Sequence, residues 1–277
     1  MNNAEVKTLR VPGANLYYEV YGSGPLLLLI HGGGGGAYVF NQIIGHLANR
    51  YSVVTYDRRG LSRSTLDDPE EEQLVERHSD DAHLLLKELS NEYEPAYVFG
   101  SSGGAIVGLD LAARYPEQVK TLIAHEPPSH LLPEADAIQE MGAIREIYLR
   151  EGLAAAFQKL AAQSGFFSDD REPGIEFPSP TTPEERERAV KNLVFLFEHE
   201  FAMYDRYQFD FAALKNAMTQ TQIVLAGGRT SREIAESRSA VAIADQIGAA
   251  FVEFPGNHVG YGTHPRAFAG QLYEVLG

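Results

Sequence analysis

The 277-residue sequence has no cysteine. This absence excludes a disulfide framework, a thiol nucleophile and zinc or iron–sulfur sites with cysteine ligands. Long apolar runs are missing too, since none exceeds Leu26–Ile30 and a bilayer span needs roughly 20 residues. The first residues also lack the hydrophobic segment of a signal peptide. We therefore expect a cytoplasmic protein.

Basic residues are scarce: 23 Lys and Arg face 38 Asp and Glu, for a net charge of −15. Such a surplus of carboxylates repels phosphate backbones, so we expect neither nucleic acid nor an anionic membrane as a partner. The composition, 44% hydrophobic and 22% charged, is that of a folded globular protein. The sequence leaves the oligomeric state open, with a homodimer as one option.

Eight short runs rich in apolar, β-branched and aromatic residues predict β-strands. The first two read as a hairpin, and the others are nearly continuously apolar and separated by helix-like segments, which is typical of a parallel sheet. The predicted strands are Val6–Val11, Leu16–Tyr21, Leu26–Ile30, Val53–Tyr56, Ala96–Phe99, Thr121–Ala124, Ile223–Ala226 and Phe251–Phe254.

The segment from Pro127 to about Lys215 shows helical periodicity but no strand pattern. Thr182 and Glu185 form the signature of a helix capping box ahead of a long amphipathic stretch. We therefore predict one catalytic domain interrupted by a helical lid. The predicted lid helices lie around residues 138–149, 153–162 and 183–204.

A nucleophile is predicted at Ser102, in Gly100-Ser101-Ser102-Gly103-Gly104 between an apolar strand and a helix. This is the G-x-S-x-G pattern, in which flanking glycines let strand and helix pass closely while the serine hydroxyl projects outward. Ser101 lacks this symmetry because Phe99 precedes it by two residues. Serine rather than aspartate at this turn argues against epoxide hydrolase and haloalkane dehalogenase chemistry.

A serine hydroxyl needs a neighbouring base, and His258 follows the last predicted strand, where it can reach over the carboxyl edge of the sheet. His264, beside Pro265, is the second choice. A carboxylate must then orient the imidazole. Glu126, at the end of the strand that follows the serine helix, is our choice for it, and Glu233 or Glu236 is the competing assignment.

The glycine run that starts at Gly32 has two interpretations. Backbone N–H groups of Gly33 and Gly103 could form an oxyanion hole, in which each donor is worth about 3 to 4 kcal/mol. Alternatively, Gly32, Gly34 and Ala37 match the G-x-G-x-x-[GA] fingerprint of a nicotinamide-dependent oxidoreductase. Five consecutive glycines satisfy almost any glycine motif, and two strands precede this one, so the first interpretation is favoured.

These features together resemble the α/β-hydrolase superfamily, with His31-Gly32, the Asp57-Arg58-Arg59-Gly60 loop, the Ser102 turn and the late Asn257-His258. The resemblance implies a mostly parallel eight-stranded sheet with helices on both faces, a helical cap after the sixth strand and a serine hydrolase without a cofactor. It divides the chain into a core, residues 1–128 and 216–277, and a cap, residues 129–215. In that superfamily the Asp57–Arg59 loop chiefly braces the turn beneath the active site.

Within the superfamily, Glu126 in its His-Glu-x-Pro setting resembles the lactonases that open the macrolide zearalenone. The expected activity is therefore cleavage of a hydrophobic ester or lactone, a macrolide lactone included. The alternatives are carbon–carbon bond hydrolysis by the same machinery and a small-molecule receptor on this scaffold.

Aromatic residues of the predicted cap could line an apolar cleft over Ser102, and we take Phe197, Phe201 and Tyr204 as substrate contacts. At helical spacing, such aromatic residues are more often packing residues than substrate contacts. The aromatic set of the cap is Phe157, Phe166, Phe167, Phe177, Phe195, Phe197, Phe201, Tyr204 and Tyr207.

Overall fold

The computed structural model describes residues 4–90, 94–133, 136–165, 169–176 and 182–277. Within them the chain forms one sheet in which all eight predicted strands are present and a ninth, β5, is added. The strands are β1 Glu5–Val11, β2 Ala14–Tyr21, β3 Leu26–Ile30, β4 Ser52–Tyr56, β5 Thr65–Leu66, β6 Ala96–Ser101, β7 Val119–His125, β8 Gln222–Gly228 and β9 Ala250–Phe254.

The strand order is β1-β2-β4-β3-β6-β7-β8-β9, and β5 pairs with β2. β1 and β2 form an antiparallel hairpin, β2 is antiparallel to β4, and the six strands from β4 to β9 along this order are parallel. β5 escaped prediction because its two residues pair through the backbone without any apolar pattern. The mostly parallel sheet is confirmed.

The parallel strands are apolar on both faces because helices cover both sides. In β3, Leu28 and Ile30 belong to one core cluster, and Leu27 and Leu29 belong to the other. This alternation follows from the two-residue period of a strand. The ends of the parallel strands therefore meet at one edge of a rigid, buried sheet.

Eleven helices surround the sheet among the described residues. Helix α3 starts directly after Ser102. Helix α8 packs against α3 and therefore lies on the core. The predicted cap boundary at residue 215 falls inside α8. The helices are α1 Asn41–Leu47, α2 Val75–Leu89, α3 Gly103–Arg114, α4 Ala137–Glu151, α5 Leu153–Ser164, α6 Pro183–Phe195, α7 Phe201–Arg206, α8 Phe211–Ala217, α9 Ala235–Ile247, α10 Gly260–Thr263 and α11 Pro265–Leu276.

Helices α4 to α7 lie within the segment that the sequence predicts as a lid, hereafter the cap. The capping box is confirmed, because Thr182 Oγ1 accepts from the N–H of Glu185 and the Glu185 carboxylate accepts from the N–H of Thr182. The predicted single helix 183–204 is divided by a π-helical turn, Leu196–Glu200, between α6 and α7. None of the described helices is both long and apolar enough to cross a membrane.

Candidate active site

Ser102 lies in a sharp turn between β6 and α3. Its φ of 55° is in the left-handed region, which non-glycine residues rarely adopt and which is enriched at functional sites. A Cβ on Gly100 would collide with the carbonyl oxygen of Gly104, and one on Gly104 would collide with that of Ile30. The N–H of Ser102 donates to the His125 carbonyl at 2.8 Å. The glycines thus permit the close strand–helix approach that was predicted.

Glu126 follows β7 directly, also at positive φ, 52°. Its side chain is fully buried, and Oε2 accepts from His258 Nδ1 at 2.6 Å. The other oxygen, Oε1, accepts from the N–H of Gly228 at 2.7 Å and from Ser231 Oγ at 2.5 Å. Three donors therefore hold one carboxylate in a single orientation against the histidine.

The Glu126–His258 contact shifts the pKa of both groups. Burial alone would raise the pKa of Glu126, but the hydrogen bond from His258 and the nearby imidazoles hold that pKa below its ordinary value. Burial would lower the pKa of His258, but the hydrogen bond to Glu126 and the charge of that carboxylate raise it. With its Nδ1 proton committed to the carboxylate, the neutral imidazole keeps Nε2 as an acceptor.

The residues of the competing assignments do not form this pair. Glu233 is exposed, whereas Glu236 is half-buried and lines the same cavity as His258 without replacing Glu126 as the partner of Nδ1. His264 is hydrogen-bonded to Thr263, and its Nε2 lies 3.4 Å from an Asp170 oxygen. The pair that the structure brings into contact is Glu126 and His258.

Ser102 and His258 both line a cavity of about 930 Å³ between the sheet edge and the cap. Apolar side chains of α4 and α5, among them Met141, Ile144 and Phe157, contribute to its walls. A few polar groups in a mostly apolar cleft are typical of a small-molecule site. The cavity could hold a bulky hydrophobic molecule over the serine.

The glycine run after β3 passes directly over Ser102. A Cβ on Gly32 would lie 3.1 Å from the Ser102 Cβ, and one on Gly33 would lie 2.6 Å from Leu196 Cδ1 of the cap. Gly103, the other predicted oxyanion donor, is the first residue of α3, where a backbone N–H has no partner within the helix. Both glycines lie close enough to the serine turn to be considered as donors.

Arg58 is fully buried beneath this run. Its Nη2 donates to Glu200 Oε1 at 2.5 Å and to the Gly32 carbonyl at 2.9 Å, and its Nε donates to the His31 carbonyl at 3.2 Å. Asp57, next to it, accepts from the N–H of Ala37 at 2.7 Å. The arginine loop thus braces the glycine run, a structural role of the kind that the resemblance implied for it.

Sequence reasoning missed Glu200. It lies on the π-helical turn, is fully buried, and also accepts from the N–H of Gly34 at 2.7 Å and from Tyr204 Oη at 3.0 Å. The available signal was its spacing, one helical turn after Leu196 and one before Tyr204 on an otherwise apolar face. A carboxylate at such a position requires buried partners.

The three cap aromatics have different surroundings. Phe201 and Tyr204 line the cavity, whereas Phe197 is fully buried, stacked on Tyr148 at 5.0 Å between ring centroids and packed edge-on against Phe201. Phe197 therefore packs inside the cap instead of reaching the cavity. Phe166, Phe167 and Phe177 lie outside the described residues.

No group of three or more His, Asp or Glu side chains within the described ranges is arranged to hold a metal ion. The polar groups gathered around Ser102 are instead a carboxylate–histidine pair, backbone amides and a buried ion pair. This set can remove a proton from a hydroxyl and stabilise a developing oxyanion.

Residues 27–271 match the alpha/beta hydrolase family. The chain belongs to this family, and it is a hydrolase of the α/β fold. It is 42% identical over 271 residues to an uncharacterized hydrolase, YraK, of Bacillus subtilis, covering 97% of this chain and 95% of that protein.

A zearalenone hydrolase of Cladophialophora bantiana is 35% identical over 120 residues, which is 42% of this chain and 44% of that protein. The crystal structure of a hydrolase from Pseudomonas aeruginosa superimposes with a TM-score of 0.69 at 21% identity, covering 99% of this chain and 98% of that one. At 21% identity, this similarity shows that the two proteins share a fold.

Proposed function

We propose that the protein is a serine hydrolase that cleaves a hydrophobic carboxylic ester or lactone through an acyl-enzyme. The observation that supports this most is the hydrogen bond between Glu126 and His258 in the cavity that Ser102 enters from its positive-φ turn. Nucleophile, base and orienting acid are the three groups that acyl transfer by serine requires.

In the proposed reaction, Ser102 Oγ attacks the carbonyl carbon while His258 Nε2 takes the hydroxyl proton. Glu126 stabilises the imidazolium that forms, and the N–H groups of Gly33 and Gly103 donate to the oxyanion. Collapse of the tetrahedral intermediate expels the alcohol, which receives the proton from His258. Water, activated by the same imidazole, then hydrolyses the acyl-enzyme.

Support for Gly33 comes from its neighbours in the glycine run. The N–H of Gly34 donates to Glu200 and that of Gly35 donates to the Gly32 carbonyl, so both are already engaged. Of these three N–H groups, that of Gly33 alone has no hydrogen-bond partner among the described residues.

In a lactone the leaving alcohol stays attached to the acyl chain, and the same steps open the ring.

A bulky substrate is favoured by the cavity. Its volume of about 930 Å³ lies near the upper end of the ~300–1,000 Å³ range of ligand sites. The partial similarity to a zearalenone hydrolase makes a macrolide lactone the first compound to assay. Ring opening would appear in mass spectrometry as the gain of one water, and a diketone in the same panel tests carbon–carbon hydrolysis.

The proposed function is tested by p-nitrophenyl ester turnover in the wild type, Ser102→Ala and Ser101→Ala. We expect Ser102→Ala to lower kcat by roughly 10⁶-fold, because serine and histidine act as one unit. Ser101→Ala is the matched control and should keep most of the activity. Equal turnover in wild type and Ser102→Ala would contradict the proposal, and ligand-induced thermal stabilisation without turnover would favour a receptor.

A further inference from the structure

The cap contacts the glycine run through four residues spaced by four: Asn192, Leu196, Glu200 and Tyr204. In a regular α-helix each step of four residues rotates the side-chain direction by about 40°, so such a row turns steadily away from its neighbour. The π-helical turn corrects this drift, because the N–H of Phe201 bonds to the Leu196 carbonyl five residues back and adds one residue to the turn. The four side chains can therefore contact one surface.

That surface is formed by the glycine run and the loops beside it. Asn192 Nδ2 donates to the Gly35 carbonyl at 2.7 Å, and its Oδ1 accepts from the N–H of Ser62 at 2.8 Å. Leu196 Cδ1 occupies the space that a Cβ on Gly33 would need. π-Bulges occur frequently at functional sites, and this one holds the cap on the part of the core next to the nucleophile.

The orientation of the Gly33 amide follows from its neighbours. The Gly32 carbonyl accepts from Arg58 Nη2 at 2.9 Å and lies 2.8 Å from His31 Nδ1. His31 Nε2 accepts from the N–H of Arg58 at 3.2 Å, so the ring proton is on Nδ1 and donates to that carbonyl. In a trans peptide the N–H of Gly33 points opposite to the Gly32 carbonyl. The N–H of Gly33 is therefore directed away from Arg58 and His31, which hold the Gly32 carbonyl.

We propose that Arg58 and Glu200 form a buried ion pair that positions the Gly33 N–H as an oxyanion donor. Glu200 holds the Arg58 guanidinium at 2.5 Å and the N–H of Gly34 at 2.7 Å, so the peptides on both sides of Gly33 are held by charged partners. Charged partners make hydrogen bonds roughly twice as strong as neutral ones. This inference rests on the function proposed above, and both residues act through the peptide rather than on the substrate.

The cost of such a pair argues for a role beyond packing. Both side chains have no exposed surface, and a buried ion pair can often be replaced by apolar residues without loss of stability. Glu200 also accepts from Tyr204 Oη, whose ring occupies the space in which a Cβ on Gly103 would lie. The same carboxylate thus contacts residues beside both proposed oxyanion donors.

The test compares Glu200→Gln with Glu198→Gln, an exposed glutamate on the same π-helical turn. We expect Glu200→Gln to lower kcat by about 10- to 100-fold, because loss of precise placement costs that much, with KM nearly unchanged. The rate should be expressed per serine labelled by a fluorophosphonate. A purely structural role would lower the number of labelled serines but not the rate per labelled site.

A second variant covers the case in which Glu200→Gln fails to fold. Arg58→Met combined with Glu200→Gln removes both charges, which buried pairs tolerate better than the loss of one, and it should show the same fall in kcat. A wild-type rate per labelled site in either variant would overturn the inference. If wild type and Glu198→Gln are themselves inactive and unlabelled, the proposed function is wrong and the inference falls with it.

Discussion

Two buried carboxylates flank the serine turn, and they belong to different parts of the molecule. Glu126 follows a strand of the sheet and fixes a histidine, whereas Glu200 belongs to the cap and binds the glycine run. Each carboxylate accepts at least three hydrogen bonds. In the mechanism proposed above, the core supplies the proton-transfer groups and the cap contributes to the geometry of the oxyanion site.

Among the variants that distinguish the core from the cap, Glu126→Gln is expected to have the largest effect. The amide has no charge to stabilise the imidazolium and favours the wrong histidine tautomer, so kcat should fall by about 10³- to 10⁴-fold. Steady-state kinetics on a p-nitrophenyl ester measure this. The loss should exceed that of Glu200→Gln, because an acid in contact with the base acts more directly than a group that positions a peptide.

Glu233→Gln serves as the control for that experiment, since Glu233 is exposed. It should keep the wild-type rate. A Glu126→Gln variant that is as active as Glu233→Gln would remove Glu126 from the proposed triad and reopen the assignment to Glu236.

A smaller effect is expected in the pH profile. His258 must be neutral to act as a base, and its contact with Glu126 raises its pKa, so kcat/KM should fall with decreasing pH already above the ordinary histidine value of about 6.5. The Glu236 carboxylate raises this pKa further. Glu236→Gln should therefore move the acidic limb to lower pH while kcat on the plateau changes little.

The Glu233→Gln variant is again the matched control and should leave the acidic limb in place. An unchanged midpoint in Glu236→Gln would show that the imidazole does not sense this carboxylate. A limb that moves to higher pH would contradict the sign of the interaction.

The core side of the site was predictable because it follows from strand order. Ser102, Glu126 and His258 each follow a short apolar run, and parallel strands bring their carboxyl ends to one edge. The choice of Glu126 over Glu233 and Glu236 needed no knowledge of the cap. It depended on the loop after β8, which has no acid before Glu233, whereas Glu126 stands at the carboxyl end of β7.

The cap side was not predictable in the same way. The sequence indicates a helix over residues 183–204, but helical periodicity does not show where a π-helical turn shifts the direction of the side chains. Helical spacing therefore places Glu200 on an apolar face but does not reveal that it binds the glycine run. Phe197 shows the converse, since its spacing fitted a substrate contact and the structure places it in the packing of the cap.

The most direct test of the account is to locate a covalent phosphonate label in the wild-type protein. We expect mass spectrometry to find one label per chain on the peptide that contains Ser102, with labelling abolished in Ser102→Ala and retained in Ser101→Ala. Labelling at another residue, or equal labelling of wild type and Ser102→Ala, would contradict the assignment of Ser102 as the nucleophile.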